Sequence, residues 1–216
     1  MKIIFSFLVA LPLVKGIYKL PDGMSKCPVV GGPHGKPFDD TTMVQPGQKV
    51  ESITICYNDR VDGIGMKFTP LSGFSQDPFH GSRKHCNESK LASDEYIIIM
   101  EAQTVKDDDH TKISYVRFMT NKKNIIEGGK ETEEDDKKAS CKAPEKHQLG
   151  GFFGRYGEEI DAIGPIWVQM DPIIYEPYHQ NPQQVPVSNG QYNQYTQQAP
   201  QDSDSSDSIA TKSYNY

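Results

Sequence analysis

No run of about 18 uncharged apolar residues follows the amino terminus, so the sequence offers no membrane-spanning helix beyond its first residues. Hydrophobic side chains are also scarce. They make up 36% of 216 residues, below the usual globular share, which predicts that part of the chain does not pack. Basic residues are outnumbered, 23 Lys and Arg against 29 Asp and Glu, for a net charge of −6. That balance argues against nucleic acid as a partner, because sequence-independent binding needs a basic surface. G-x-S-x-G, H-E-x-x-H and Walker-type loops are all missing, so no motif supports an enzyme. No amphipathic pattern is long enough for a substantial helix.

What is present begins with a leader. Met1-Lys2 is followed by an apolar run from Ile3 to Val14, and small residues precede Ile17. Residues 1–16 therefore read as a secretory signal peptide, and the mature protein as extracellular. Residues 17–26 form a lead-in. Four cysteines follow, Cys27, Cys56, Cys86 and Cys141, with no C-x-x-C pair. In an oxidising compartment they predict two disulfides rather than a zinc site. Three pairings are possible. The nearness of Cys56 to Cys86 favours that pair, leaving Cys27 with Cys141. Asn87-Glu88-Ser89 is an N-glycosylation sequon, expected on a surface loop.

Residues 27–171 read as the folded domain, built of strands. Ile53, Ile55 and Tyr57 alternate with polar or small residues, and Gly65 to Phe68 is a second strand. Glu95–Met100, Ile113–Thr120, Leu149–Phe153 and Ile163–Met170 are the others. Asn58-Asp59, Asp62-Gly63, Asn121-Lys122 and Gly128-Gly129 read as turns. Asp107-Asp108-Asp109-His110 joins two strands and lacks the spacing of a calcium loop, so no metal is expected. Glu131–Lys138 reads as a solvated charged loop. Residues 172–216 hold no Cys, Trp, Phe, Met or Leu and are dominated by Gln, Ser, Tyr, Pro and Asn. Such a segment cannot bury enough apolar area to offset chain entropy, and is expected to be a disordered tail.

Two glycine-rich segments stand apart. One is Gly31-Gly32-Pro33-His34-Gly35-Lys36-Pro37-Phe38-Asp39-Asp40. The other runs from Gly150 to Gly164 and contains Gly157-Glu158-Glu159-Ile160-Asp161. Glycines expose backbone N–H groups, and an aspartate four residues after Gly157 can fold back beside them. Backbone donors around a carboxylate acceptor suit sugar hydroxyls, each of which donates and accepts. Two ordinary turns would read the same way.

Together the two segments resemble the opening and closing signatures of the jacalin-related lectins. Gly31, Gly32, Gly35, Phe38, Asp39 and Asp40 match the first. Gly151, Phe152, Gly154, Arg155, Gly157, Asp161, Ala162, Ile163 and Gly164 match the second. The resemblance implies an all-β fold, a β-prism of three four-stranded Greek-key sheets with pseudo-threefold symmetry. It implies a shallow sugar site in which Gly35, Glu158 and Glu159 give backbone N–H groups and Asp161 accepts from two hydroxyls. Gly157 would serve geometry, and Asp107–His110 would form a third wall. No catalysis and no cofactor are implied. The chain continues upstream of Gly35, unlike the cleaved galactose type, so mannose- or glucose-containing glycans are the expected partners. Homo-oligomers are common in such lectins. An alternative is a structural or protein-interaction role on the same fold with sugar binding lost. The acidic third wall and the tail, with its six tyrosines and eight glutamines after Asp171, motivate it.

Overall fold

The structure is a computed structural model and describes residues 19–133 and 137–172. The leader, and residues 173–216 of the tail, lie outside the described residues. Among the described residues, thirteen strands form three antiparallel sheets. One sheet contains β4 (Lys49–Tyr57), β5 (Val61–Thr69), β6 (Phe79–Gly81) and β7 (Cys86–Lys90), in the order β6-β5-β4-β7. A second contains β8 (Ile97–Asp107), β9 (His110–Thr120), β10 (Ile125–Gly129) and β11 (Lys138–Lys142), in the order β10-β9-β8-β11. The third joins the two ends of the domain. It sets β1 (Met24–Lys26) beside β13 (Ile160–Gln169), then β12 (His147–Tyr156) and β3 (Lys36–Asp39), with β2 (Val30–Gly31) also on β13. Each four-strand order is a Greek key, a hairpin flanked by its third and fourth strands. The expected all-β prism is thus observed.

The threefold repetition extends to single residues. Gly31, Gly81 and Gly129 all have positive φ, at 121°, 89° and 96°. A Cβ on any of them would collide with a carbonyl across the sheet, that of Asp161, Asp62 or Ser114 respectively. The next residue in each case donates its N–H to that same carbonyl: Gly32 to Asp161 at 2.9 Å, Ser82 to Asp62 at 2.8 Å and Lys130 to Ser114 at 2.8 Å. Asp161, Asp62 and Ser114 are therefore structural equivalents. So are the residues two positions before them: Glu159, Arg60 and Lys112.

The core lies between the sheets. Trp167, Phe68, Phe118 and Phe152 are fully buried with Ile53, Ile64, Ile113 and Ile160. Each such side chain contributes about 1.5–3 kcal/mol of transfer free energy. Phe118 meets Phe152 edge-on at 5.9 Å, which joins two sheets. Cys27 bonds to Cys141 and Cys56 to Cys86, the pairing expected from sequence. Cys56 and Cys86 face each other across β4 and β7. The Trp167 indole N–H points at Cys141 Sγ, 3.1 Å away.

Several local expectations are corrected. Asp62-Gly63 and Gly128-Gly129 are not turns; they lie within β5 and β10. Gly63 is needed because the Phe79 ring covers it, and a Cβ would stand 2.6 Å from Phe79 Cζ. Strand β8 starts at Ile97, since Glu95 instead accepts from Thr120 Oγ1 at 2.8 Å and Asn124 Nδ2 at 2.6 Å. Asn87 is exposed, but on the edge strand β7 rather than a loop, and its Nδ2 donates to the Tyr57 hydroxyl at 3.1 Å. No helix among the described residues is long and apolar enough to cross a membrane.

Candidate carbohydrate-binding site

Three hairpin turns meet at one end of the prism: residues 58–60, 108–109 and 157–159. The turn at 157–159 is closed by Gly157 N–H donating to Glu159 O at 2.9 Å. Asp161 follows on β13 and is only 2% exposed. Its carboxylate Oδ2 sits against both glycines named from sequence. A Cβ on Gly35 would collide with it, and one on Gly157 would stand 3.7 Å away. Gly35, with φ of 75°, must be glycine for the carboxylate to fit. Gly157 has no such strain; its missing side chain leaves space beside the acid.

The Gly31–Gly35 segment is held from three sides. Arg155 Nε donates to His34 O and its Nη2 to Gly35 O, both at 2.8 Å. The His34 ring stacks on His110 at 3.9 Å. Gly32 lies against Thr111, whose carbonyl O would be 2.8 Å from a Cβ there. Gly35, Gly157 and Glu158 are exposed and Glu159 is half-buried. The backbone N–H groups of Gly35, Glu158 and Glu159 make no hydrogen bond within the described residues. The structure thus brings Gly35, Gly157, Glu158, Glu159 and Asp161 together.

Two cations in the site were not foreseen. Lys112 Nζ is 2.8 Å from Asp161 Oδ1 and 3.9 Å from Glu159 Oε2. Arg60 Nε donates to both Glu159 carboxylate oxygens at 3.0 Å, and its Nη2 is 3.4 Å from Asp107. The hydrogen bond to Glu159 raises the Arg60 pKa above its ordinary value. The sequence did carry a signal for Arg60: Tyr57-Asn58-Asp59-Arg60-Val61-Asp62 repeats the pattern of Tyr156-Gly157-Glu158-Glu159-Ile160-Asp161. A cleft of about 470 Å³ opens beside the Glu158-Glu159 turn, lined by Arg60, Lys112, Glu158, Glu159 and Asp107–His110; Gly35, Gly157 and Asp161 do not line it. The acidic hairpin is thus one wall of this cleft.

Comparison with known proteins decides the family. The profile of the jacalin-like lectin domain matches residues 27–166. The chain belongs to the jacalin-like lectin domain family. The secreted RxLR effector protein 19 of Plasmopara viticola is 36% identical over 169 residues, 77% of this chain and 94% of that protein. The wild-type Malaysian banana lectin structure is 27% identical, with a TM-score of 0.57, over 68% of this chain and 99% of that one. A mannose binding jacalin related lectin from Ananas comosus is 18% identical, with a TM-score of 0.57 and the same coverage, and shares the fold. In this jacalin-like domain, the counterpart of the site in the sheet containing β5 differs. Position 85 there is His85, with φ of 51°, where the segment after Gly31 has Gly35.

Proposed function

We propose that the mature chain is a secreted, non-catalytic lectin for mannose- or glucose-type glycans, with the site at Asp161. The single observation that carries this reading is the convergence of Asp161 Oδ2 with Gly35 and with the loop Gly157-Glu158-Glu159. The free N–H groups of Gly35, Glu158 and Glu159 supply donors, and Oδ2 has two lone pairs to accept from neighbouring hydroxyls. Asp161 Oδ1 already faces Lys112. The expected two hydroxyls would therefore share Oδ2 or displace the ammonium.

Four or five hydrogen bonds at a net ~1 kcal/mol each give about millimolar affinity for a monosaccharide. Useful binding then requires extended glycans or several copies, for which a homo-oligomer is one route. Excess carboxylates on the rim would disfavour sialylated or sulfated glycans. The Ananas comosus neighbour is described as mannose binding, which agrees with the mannose reading. Secretion is supported by the leader sequence, the two disulfides and a relative described as secreted. We assign the folded unit to residues 24–171, not 27–171, because β1 of the expected lead-in pairs with β13, and Asn87 is exposed enough to carry a glycan.

A second reading is an interaction protein that has lost sugar binding. It is favoured by the ion pair on Asp161 and by the effector description of the relative. A glycan array separates the two. Mannose- or glucose-terminated hits support the lectin. A folded protein with no hits on the array supports the interaction protein.

A further inference from the structure

Glu159, Arg60 and Lys112 occupy the same position in the three sheets, and their side chains meet at the end of the prism that carries the site. Each sheet thus supplies one charged group, Glu159 and Arg60 from their turns and Lys112 from strand β9. The two bases bracket the acid, which belongs to the proposed sugar loop. Arg60 grips Glu159 with a planar fork, Nε to both oxygens at 3.0 Å and Nη2 to Oε1 at 2.9 Å. Lys112 reaches Asp161 at 2.8 Å. These are not ordinary surface pairs. Side-chain exposure is 31% for Arg60, 20% for Glu159, 14% for Lys112 and 2% for Asp161. Arg60 and Lys112 come from different sheets, so the loop is tied to both sheets other than its own.

We infer that Arg60 and Lys112 are positioning residues for the sugar site, Arg60 fixing the Gly157–Glu159 turn through Glu159 and Lys112 fixing the Asp161 carboxylate. The inference rests on the lectin reading for its functional consequence, though not for the clamp itself. Two N–H donors lie in a turn closed by one backbone hydrogen bond, Gly157 N–H to Glu159 O. Without the Arg60 fork that turn has fewer restraints. Ordering it would then be charged against binding. Arginine is the suitable residue, because its fork matches a carboxylate in two bonds and lysine's point charge does not. Asp107 shares the guanidinium, so the clamp also holds the third wall.

The test uses the full mature chain and two readouts: amide hydrogen exchange over residues 157–161 and affinity for methyl α-mannoside. Arg60→Ala is expected to speed exchange at Glu158 and Glu159 about tenfold and to weaken mannoside binding about fivefold or more. Arg60→Lys should recover only part of each. The swap Arg60→Glu with Glu159→Arg should restore most of the protection. Unchanged exchange in Arg60→Ala, or no recovery in a folded swap, overturns the inference. Should Arg60→Ala not fold, the swap alone decides on the same terms. If the wild-type chain binds no mannoside, the lectin reading fails, and the exchange data still judge the clamp.

Discussion

Lys112 Nζ lies 2.8 Å from Asp161 Oδ1, so the carboxylate at the centre of the candidate site is charge-paired from within the protein. Asp161 is 2% exposed, and removing the ammonium would leave a buried charge unpaired. Lys112→Met is therefore expected to destabilise the domain by about 2–4 kcal/mol, measured by urea unfolding at neutral pH. Adding Asp161→Asn removes the unpaired charge and should recover at least half of that loss. Additive losses in the double variant would show that the two groups do not interact.

Gly35 and Gly157 look alike in sequence, and the structure separates them. Gly35 combines φ of 75° with a carboxylate and the Tyr156 carbonyl in the space of its Cβ, the latter at 2.7 Å. Gly35→Ala should cost about 1–3 kcal/mol and abolish glycan binding. Gly157→Ala meets only an ordinary contact with Asp161 Oδ2. Its melting temperature should stay near wild type while sugar affinity falls. Equal melting temperatures for the two variants would contradict this account of the glycine pattern.

Asp62, the counterpart of Asp161 in the sheet containing β5, has a raised pKa. Burial is the larger cause, and the nearby Glu159 charge adds to it. A raised carboxyl pKa means that the folded state holds the proton more tightly than the unfolded chain. Stability from this group is complete below the ordinary value near 3.8 and is lost as pH rises through the folded value. Asp62→Asn should thus raise the melting temperature at pH 7. The gain should shrink as pH falls towards 3.8. A destabilised variant at pH 7 would show instead that ionised Asp62 is a net stabiliser.

How much of this was legible in the sequence follows from burial. The six central strands announced themselves, because residues such as Ile53, Ile55, Phe118 and Trp167 must alternate or cluster to fill the core. The edge strands did not. Of Cys86–Lys90, four residues are exposed, and a strand held by backbone pairing alone leaves no apolar pattern to read. The glycines and Asp161 of the candidate site were singled out through the resemblance to a family, since spacing alone could not separate them from two turns. Lys112 was hidden, because it enters the site from β9, over forty residues upstream of Asp161 in sequence. Arg60 was recoverable in principle from the repeated turn pattern. His34 and His110 lie in segments far apart in sequence, and nothing in the sequence shows that they stack on one another.

The Cys27–Cys141 bond spans 114 residues and ties the segment after β1 to the edge strand β11. Its closure restricts the unfolded chain over most of the domain. Replacing both cysteines with alanine is expected to cost about 2–5 kcal/mol. Denaturant midpoints with an unchanged slope would check it. A change near zero would mean that the core alone holds the two edges together.

The central claim is that Asp161 is the sugar acceptor of a mannose- or glucose-type lectin, and titration of methyl α-mannoside into wild type and Asp161→Asn tests it most directly. The account predicts about millimolar affinity for wild type and at least tenfold weaker binding for a variant shown to be folded by its thermal transition. Equal affinity in the two proteins would place the site elsewhere on the prism, and no binding by either would contradict the lectin reading itself.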